Sequence, residues 1–179
     1  MVYISHSLDE VVRLADVLVL LEGGRIRAAG PIGDIMSRLD LGSSTGRTEA
    51  GAVIEARVET IDAEYGLATL AFPGGTLRVP ADGLHPGRTV RLHIRARDVA
   101  IALDPPHGLS ILNALPAVIT EMAASEAGAV DLRLALGPTL LVARITRRSA
   151  DTLALQPGQP VHALIKSVAF DRGGSAELG

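Results

Sequence analysis

The sequence predicts an α+β fold, in which a short α/β segment precedes a duplicated all-β region. Three features lead to this prediction: a strand–helix–hairpin pattern in residues 1–42, a small polar linker at residues 41–51, and two similar sets of short β runs after it. Apolar residues make up 47% of the 179 residues, which is enough for a packed core. Aromatic residues are only 2%, so this core has to be aliphatic.

The predicted unit at residues 1–42 begins with an apolar, β-prone run over residues 1–4. A helix is expected over residues 8–15, because a capping-box pair precedes apolar side chains at helical spacing. The hairpin that follows turns at two glycines, which tolerate positive φ. A proline then opens a second amphipathic helix. The residues that mark the cap, the turn and this second helix are Ser7, Glu10, Gly23, Gly24 and Pro31.

The predicted β region consists of two diverged copies of one unit, at residues 50–104 and 108–179. Each copy contains about five short strands divided by Gly and Pro, which is typical of a small closed or nearly closed barrel. The best internal match has Pro-Gly, a spacer and alternating residues that end in Ile-Arg or Ile-Lys. The matched pairs are residues 84–95 with 155–166, residues 53–62 with 115–124, and residues 67–79 with 130–142.

Composition excludes several classes of function. The net charge of -3 and the scarcity of aromatic rings argue against nucleic-acid binding. The absence of cysteine excludes disulfides and thiolate metal sites. The five histidines lack metal-ligand spacing, so no metal site is predicted. Without an apolar run of roughly 20 residues or a signal-peptide pattern, a cytoplasmic protein is expected.

Two arginine clusters are assigned to the surface. Arg91, Arg95 and Arg97 alternate, which predicts one solvent-exposed strand face. Arg144 and its neighbours Arg147 and Arg148 are expected to decorate a strand end and the turn after it.

The beginning of the chain resembles the last part of an ABC-transporter ATPase domain, from the switch histidine onward. The motifs that carry the resemblance are Ser5-His6-Ser7-Leu8-Asp9-Glu10-Val11, Leu14-Ala15-Asp16 and Leu20-Leu21-Glu22-Gly23-Gly24-Arg25-Ile26. The resemblance implies that His6 contacts the γ-phosphate of ATP, with Mg²⁺, in a complete ATPase. The chain contains no G-x-x-x-x-G-K-[S/T] phosphate loop, signature motif or Walker B carboxylates. We therefore expect no ATP hydrolysis by this chain alone.

The β region resembles the OB-like TOBE or Mop-type domain that follows the ATPase in molybdate importers. The matching stretches are Arg95-Ala96-Arg97-Asp98-Val99-Ala100, Ser110-Ile111-Leu112-Asn113-Ala114-Leu115-Pro116, Ala143-Arg144-Ile145-Thr146 and Ile165-Lys166-Ser167-Val168. The resemblance implies that molybdate or tungstate lies between barrel units. Backbone amides, hydroxyls and one or two cations suit such a dianion.

Five residues are carried over as candidate anion ligands: Ser110, Asn113, Lys166, Ser167 and Arg95. Arg95 stands in the first copy where Lys166 stands in the second. Leu112 replaces the arginine of the family's pattern, which removes a bidentate donor. A loop role for Ser110 and Asn113, and solvated strand ends for Lys166 and Arg95, stay open as alternatives.

The leading hypothesis is the C-terminal, regulatory, oxyanion-binding portion of the ATPase subunit of a molybdate or tungstate ABC importer. It implies a homodimer, a transmembrane permease as partner, and a cytoplasmic location at the inner face of the membrane. Two alternatives stay open: a stand-alone molybdate-binding or storage protein, and a ligand-free dimerisation module of a transporter ATPase. The sequence does not choose among molybdate, tungstate and sulfate.

Overall fold

The computed structural model describes residues 2–5, 8–41, 51–125, 128–166 and 168–170. The first unit contains the helices α1 (Leu8–Leu14) and α2 (Ile32–Met36), the strands β1 (Val17–Glu22) and β2 (Arg25–Pro31), and a 3-10 turn at Leu39–Leu41. The strands β1 and β2 form an antiparallel hairpin around Gly23 and Gly24, both with positive φ, as the sequence predicts.

The first unit has one covered and one open face. Val12 of α1 packs with Ile32 and Met36 of α2, and Leu18 and Leu20 on the inner face of β1 pack near Leu41. The predicted strand at residues 1–4 does not appear. Residues 2–5 lie outside every described strand and helix, and Val2 and Ile4 are exposed. An isolated β-prone run needs a neighbouring strand to bond with, and the described chain offers it none.

In its described residues, the β region contains ten strands and two short helical segments. The first copy provides β3 (Gly51–Asp62), β4 (Leu67–Phe72), β5 (Gly75–Pro80), β6 (Thr89–Arg95), a 3-10 turn at Ala96–Asp98 and β7 (Val99–Ala102). The second copy provides β8 (Asn113–Ala124), β9 (Ala129–Leu136), β10 (Thr139–Thr146), helix α3 (Arg147–Thr152), β11 (Pro160–Ile165) and β12 (Ala169–Phe170).

The two copies exchange their last strands. The first sheet has the strand order β12-β6-β3-β4-β5, and the second sheet has the order β10-β9-β8-β11-β7. The strand β7 therefore leaves its own copy to pair with β11, while β12 returns to pair with β6. Each sheet is completed by a strand from the other copy. The two connections that pass from one sheet to the other, between β6 and β7 and between β11 and β12, are called the crossovers, and they link the copies.

The internal alignment is confirmed for one match and is wrong by one residue for the other two. A bulge lies between Val58 and Thr60 in β3 and between Ile119 and Glu121 in β8, and each bulge is bonded to the turn before β6 or β11. Matching the bulges aligns Val58 with Ile119, rather than with Thr120. The third match, residues 84–95 with 155–166, agrees with the observed pairing.

The core is continuous across both sheets. Alternate residues of β3 and β8 point inward, and the same cluster includes buried side chains from β4, β5, β6, β9, β10 and β11. Its largest fully buried members are aliphatic, among them Leu70, Leu92, Ile119 and Leu134. None of the helices in the described ranges is long and apolar enough to cross a membrane.

Candidate functional site

The two segments predicted to contact an anion meet at one end of the second sheet. Asn113, the first residue of β8, pairs in register with Ile165, the last residue of β11. Lys166 and Leu112 therefore both lie just beyond this ladder, at the same end of the sheet. Ser110, Leu112 and Lys166 are exposed there.

The crossover of the first copy runs beside the same end. Arg95 ends β6, and the 3-10 turn Ala96–Asp98 leads into β7, whose first residue Val99 pairs with Ile165. The backbone amide of Lys166 donates to the carbonyl oxygen of Asp98 over 3.1 Å. The strand exchange thus places the chain around Arg95 next to the chain around Lys166, although they are 71 residues apart in sequence.

Asn113 makes a structural contact with the other sheet. Its side-chain Oδ1 accepts from the backbone amide of Arg78 over 2.7 Å, and its Nδ2 donates to the carbonyl oxygen of Arg78 over 2.9 Å. Asn113 is 7% exposed, and Arg78 lies in β5, the last strand of the first sheet. The carboxamide therefore imitates a strand neighbour at this edge, and this geometry favours a structural role over anion contact by the side chain.

His6 and Ser167 lie outside the described residues. Around His6, the described neighbours converge on one carboxylate, because Glu10 Oε2 accepts from Ser5 Oγ over 2.7 Å and from the Tyr3 hydroxyl over 3.2 Å. Glu10 thus fastens the segment before His6 to helix α1. The prediction for His6 itself stays a prediction.

Arg91 does not lie on an open face. Its Nη2 lies 2.6 Å from Asp16 Oδ1, and its Nη1 donates to the carbonyl oxygens of Ala15 over 2.9 Å and Val12 over 3.4 Å. Its side chain is only 20% exposed. The predicted solvent-exposed arginine face is therefore wrong for Arg91, because α1 covers it. Arg97 belongs to the 3-10 turn rather than to β6.

Arg144 is also not a surface decoration. It forms a two-point ion pair with Asp131, its partner in register on β9, with distances of 2.6 Å from Nε and 2.8 Å from Nη2. Asp131 is 6% exposed. The hydrogen bonds that Arg144 donates to this carboxylate raise the pKa of Arg144 above its ordinary value. A lone Asp in an apolar run was the available sequence signal for a buried charge pair.

A more exposed ion pair lies at the 3-10 turn of the first unit. Arg38 donates from Nε and Nη2 to the two oxygens of Asp40, over 3.0 Å and 2.6 Å. The hydrogen bonds from Arg38 lower the pKa of Asp40 below its ordinary value. Between these two residues, Leu39 packs on Ala96 and Val142 of the β region.

Comparisons with known proteins find relatives over nearly the whole chain. Residues 109–170 match the family model of the TOBE domain. Molybdenum import ATP-binding proteins match nearly all of the chain: that of Paramagnetospirillum magneticum is 48% identical over 98% of the chain, and that of Pseudomonas aeruginosa 49% over 93%. The chain is homologous to the C-terminal part of these molybdenum import proteins. It spans 48% and 47% of their lengths, about half.

The fold also matches a solved structure. A cytoplasmic molybdate-binding protein, ModG, crystallised with molybdate bound, aligns with a TM-score of 0.58 over 66% of this chain and 93% of that one, at 22% identity. This similarity confirms the predicted OB-like TOBE/Mop fold of the β region. The sequence prediction of the family is likewise confirmed by the molybdenum import relatives and the TOBE match.

Proposed function

We propose that this chain is the oxyanion-binding, regulatory C-terminal part of a molybdate importer ATPase. In this account the β region binds molybdate or tungstate at the crossover between its two sheets. The first unit carries the switch-histidine end of an ATPase whose phosphate loop lies elsewhere. The observation that carries the proposal is the strand exchange, which brings the Arg95 and Lys166 segments side by side.

The chemistry of this end suits a tetrahedral dianion. Arg95 and Lys166 provide two cationic side chains, and Ser110 provides an exposed hydroxyl donor three residues before the start of β8. Hydrogen bonds to a charged oxygen are about twice as strong as neutral ones. Because Asn113 is occupied by Arg78, the proposed side-chain ligands are Ser110, Ser167, Lys166 and Arg95, with Asn113 holding the β8 end in place.

ATP and Mg²⁺ belong to the intact ATPase in this proposal. The chain has no phosphate loop, so none of its residues forms a cradle for the nucleotide phosphates. What the chain supplies is the segment before α1, which Glu10 holds through Tyr3 and Ser5. The transmembrane permease, the homodimer and the attachment to the inner membrane face follow from the same proposal.

A calorimetric titration of the chain with molybdate tests the proposed binding, with sulfate and phosphate as competing oxyanions. We expect saturable binding of molybdate, and a loss of about tenfold or more in affinity for Lys166→Ala, because charge-assisted hydrogen bonds contribute about 1.5–3 kcal/mol. Arg148→Ala is the matched control, since it also removes one positive charge but from the exposed surface of α3. An equal loss in both variants would point to general electrostatic attraction and contradict the assigned site.

A second candidate is a ligand-free dimerisation module. Leu103, Leu109 and Leu112 are exposed within one stretch before β8, with exposures of 40%, 53% and 53%. Exposed leucines grouped in this way are typical of a protein–protein contact. Sedimentation of the chain without anion distinguishes the two: a stable dimer that Leu109→Ser dissociates, together with no heat from molybdate, favours this candidate.

A further inference from the structure

Arg91 connects the first sheet to the helix that follows His6. It lies on β6, opposite Glu55 of β3, and its guanidinium reaches the carbonyl oxygens of Val12 and Ala15. Val12 lies in the last turn of α1 and Ala15 directly follows the helix, where the backbone leaves acceptors without partners inside the helix. The same guanidinium forms the 2.6 Å ion pair with Asp16, the second residue after the helix.

The electrostatics favour a defined position for α1. A helix carries partial negative charge at its C-terminal end, so a cation there is stabilising. Arginine presents several donors in a rigid plane, and here they bind two carbonyls and one carboxylate at once. Val12, on the same helix, is 4% exposed and packs in a cluster that includes Val53 of β3. The position of α1 is therefore set by the first sheet.

The same strand is held from the other side by the second copy. Beyond Lys166, the chain returns as β12, and Ala169 and Phe170 pair with His93 and Leu92 of β6. Leu92 is the next residue after Arg91. The connection that carries Lys166 and Ser167, two of the proposed anion ligands, thus leads to the strand that carries the helix contact.

We infer that Arg91 is the positioning residue through which anion binding at the crossovers reaches helix α1 and the segment of His6. This inference rests on the proposed function. An anion held at Lys166 acts on β12 and, through the pairing of β12 with β6, on the strand that carries Arg91. An anion influences α1 only to the extent that it binds better to one arrangement of this crossover than to another.

Amide NMR of the chain tests this coupling, with molybdate as the probe. In the wild type we expect molybdate to shift the amide signals of Glu10, Val11 and Leu14, while those of the β3–β4 turn at Glu64 and Tyr65 stay unchanged. In Arg91→Ala the shifts in α1 should disappear while calorimetry still gives wild-type binding. Arg91→Lys should restore part of them, because it keeps the charge but not the fork.

Two further variants complete the design. Arg88→Ala is the matched control: Arg88 also belongs to the first copy and donates to a backbone carbonyl, that of Gly83 over 3.1 Å, but it makes no hydrogen bond to α1 among the described residues. Asp16→Ala removes the ion pair at a side chain that is 87% exposed, so it leaves folding intact and should weaken the α1 response.

The outcomes separate the inference from the proposed function. Binding without any shift in α1, or shifts that persist in both Arg91→Ala and Asp16→Ala, would overturn the role of Arg91 and leave the anion site standing. No binding of molybdate to the wild type would overturn the proposed function, and the inference with it. Loss of the α1 shifts in Arg88→Ala as well would show a general effect of arginine removal and would also overturn the inference.

Discussion

At Asn113, one side-chain carboxamide supplies both the donor and the acceptor that the edge of β5 needs at Arg78. Backbone groups at a partly buried strand edge are stabilised by a partner, and an amide matches a peptide group in size and polarity. This use explains why Asn113 is buried, whereas Ser110, three residues earlier, is exposed.

Replacing Asn113 by Asp tests this contact. The carboxylate keeps the acceptor but loses the donor, and it faces the carbonyl oxygen of Arg78 instead. We expect the free energy of unfolding to fall by about 1–3 kcal/mol, the usual cost of a buried polar group left without its bond. Urea unfolding measures it. Ser110→Ala is the control, and an equal change in both variants would contradict the structural role of Asn113.

The buried pair of Asp131 and Arg144 gives a second prediction at this scale. Asp131→Ala leaves the Arg144 charge without its carboxylate, and removing one partner of a buried pair costs about 3–5 kcal/mol. Because the side chain of Arg144 is 19% exposed, the lower end is expected. Arg147→Ala breaks the exposed pair with Asp151 and should change stability by less than about 0.5 kcal/mol. Similar losses for the two variants would argue against burial as the cause.

At the scale of elements, the β1–β2 hairpin has apolar residues on both faces. Leu18 and Leu20 are half-buried, while Val17, Val19, Leu21 and Ile26 are exposed to between 49% and 68%. A strand with two apolar faces is typical of a sheet that is covered on both sides. In the proposed function, the open face packs against an ATP-binding core.

This open face should make the chain self-associate at high concentration. Exposed, contiguous apolar surface is a common cause of association, so Val19→Asp combined with Leu21→Asp should lower the apparent mass in sedimentation experiments. Tyr65→Asp is the control, because Tyr65 is 71% exposed but lies in the β3–β4 turn. If the control variant lowered association as much as the double variant, the hairpin would not be the contact.

Sequence patterns predicted these elements well where the signal is local. Helical spacing gave α1 to within one residue, and the glycine pair gave the β1–β2 turn. The strand alignment failed by one residue for β3 with β8, because the bulges and turns fix register and leave little trace in apolar alternation. The exchange of β7 and β12 was not predicted, since no local feature says which sheet a strand joins.

The candidate site shows the same division. The positions of Lys166 and Arg95 as equivalents follow from the repeat, and the pairing agrees with it. The partners of Arg91, Arg144 and Asn113 could not be predicted from the sequence, because each partner lies in another element, from 13 to 79 residues away. Long-range pairing of this kind depends on the packing of whole sheets.

At the scale of the molecule, strand exchange and a shared core make the two copies one cooperative unit. A single cluster of buried side chains runs through both sheets, and each sheet needs a strand from the other copy. Neither copy can lose its core strands without opening the other.

We therefore expect one unfolding transition for the β region. Circular dichroism and the fluorescence of Tyr65, read in a Tyr3→Phe variant because Tyr3 is the other tyrosine of the sequence, should give the same urea midpoint, since all-or-none unfolding makes different probes coincide. Val58→Ala in the first copy and Ile119→Val in the second, both buried, should each shift this common midpoint. Two separate transitions, each sensitive to one of the variants, would contradict a shared core.

A crystal structure of the chain soaked with molybdate, with the metal located by its anomalous scattering, directly tests oxyanion binding by the exchanged strands. We predict an anomalous peak at the crossovers, within hydrogen-bonding reach of Lys166 or Arg95, that is lost in Lys166→Ala. A peak at another site would contradict oxyanion binding by the exchanged strands. The absence of any peak, in crystals whose packing leaves the crossovers accessible to solvent, would contradict it as well.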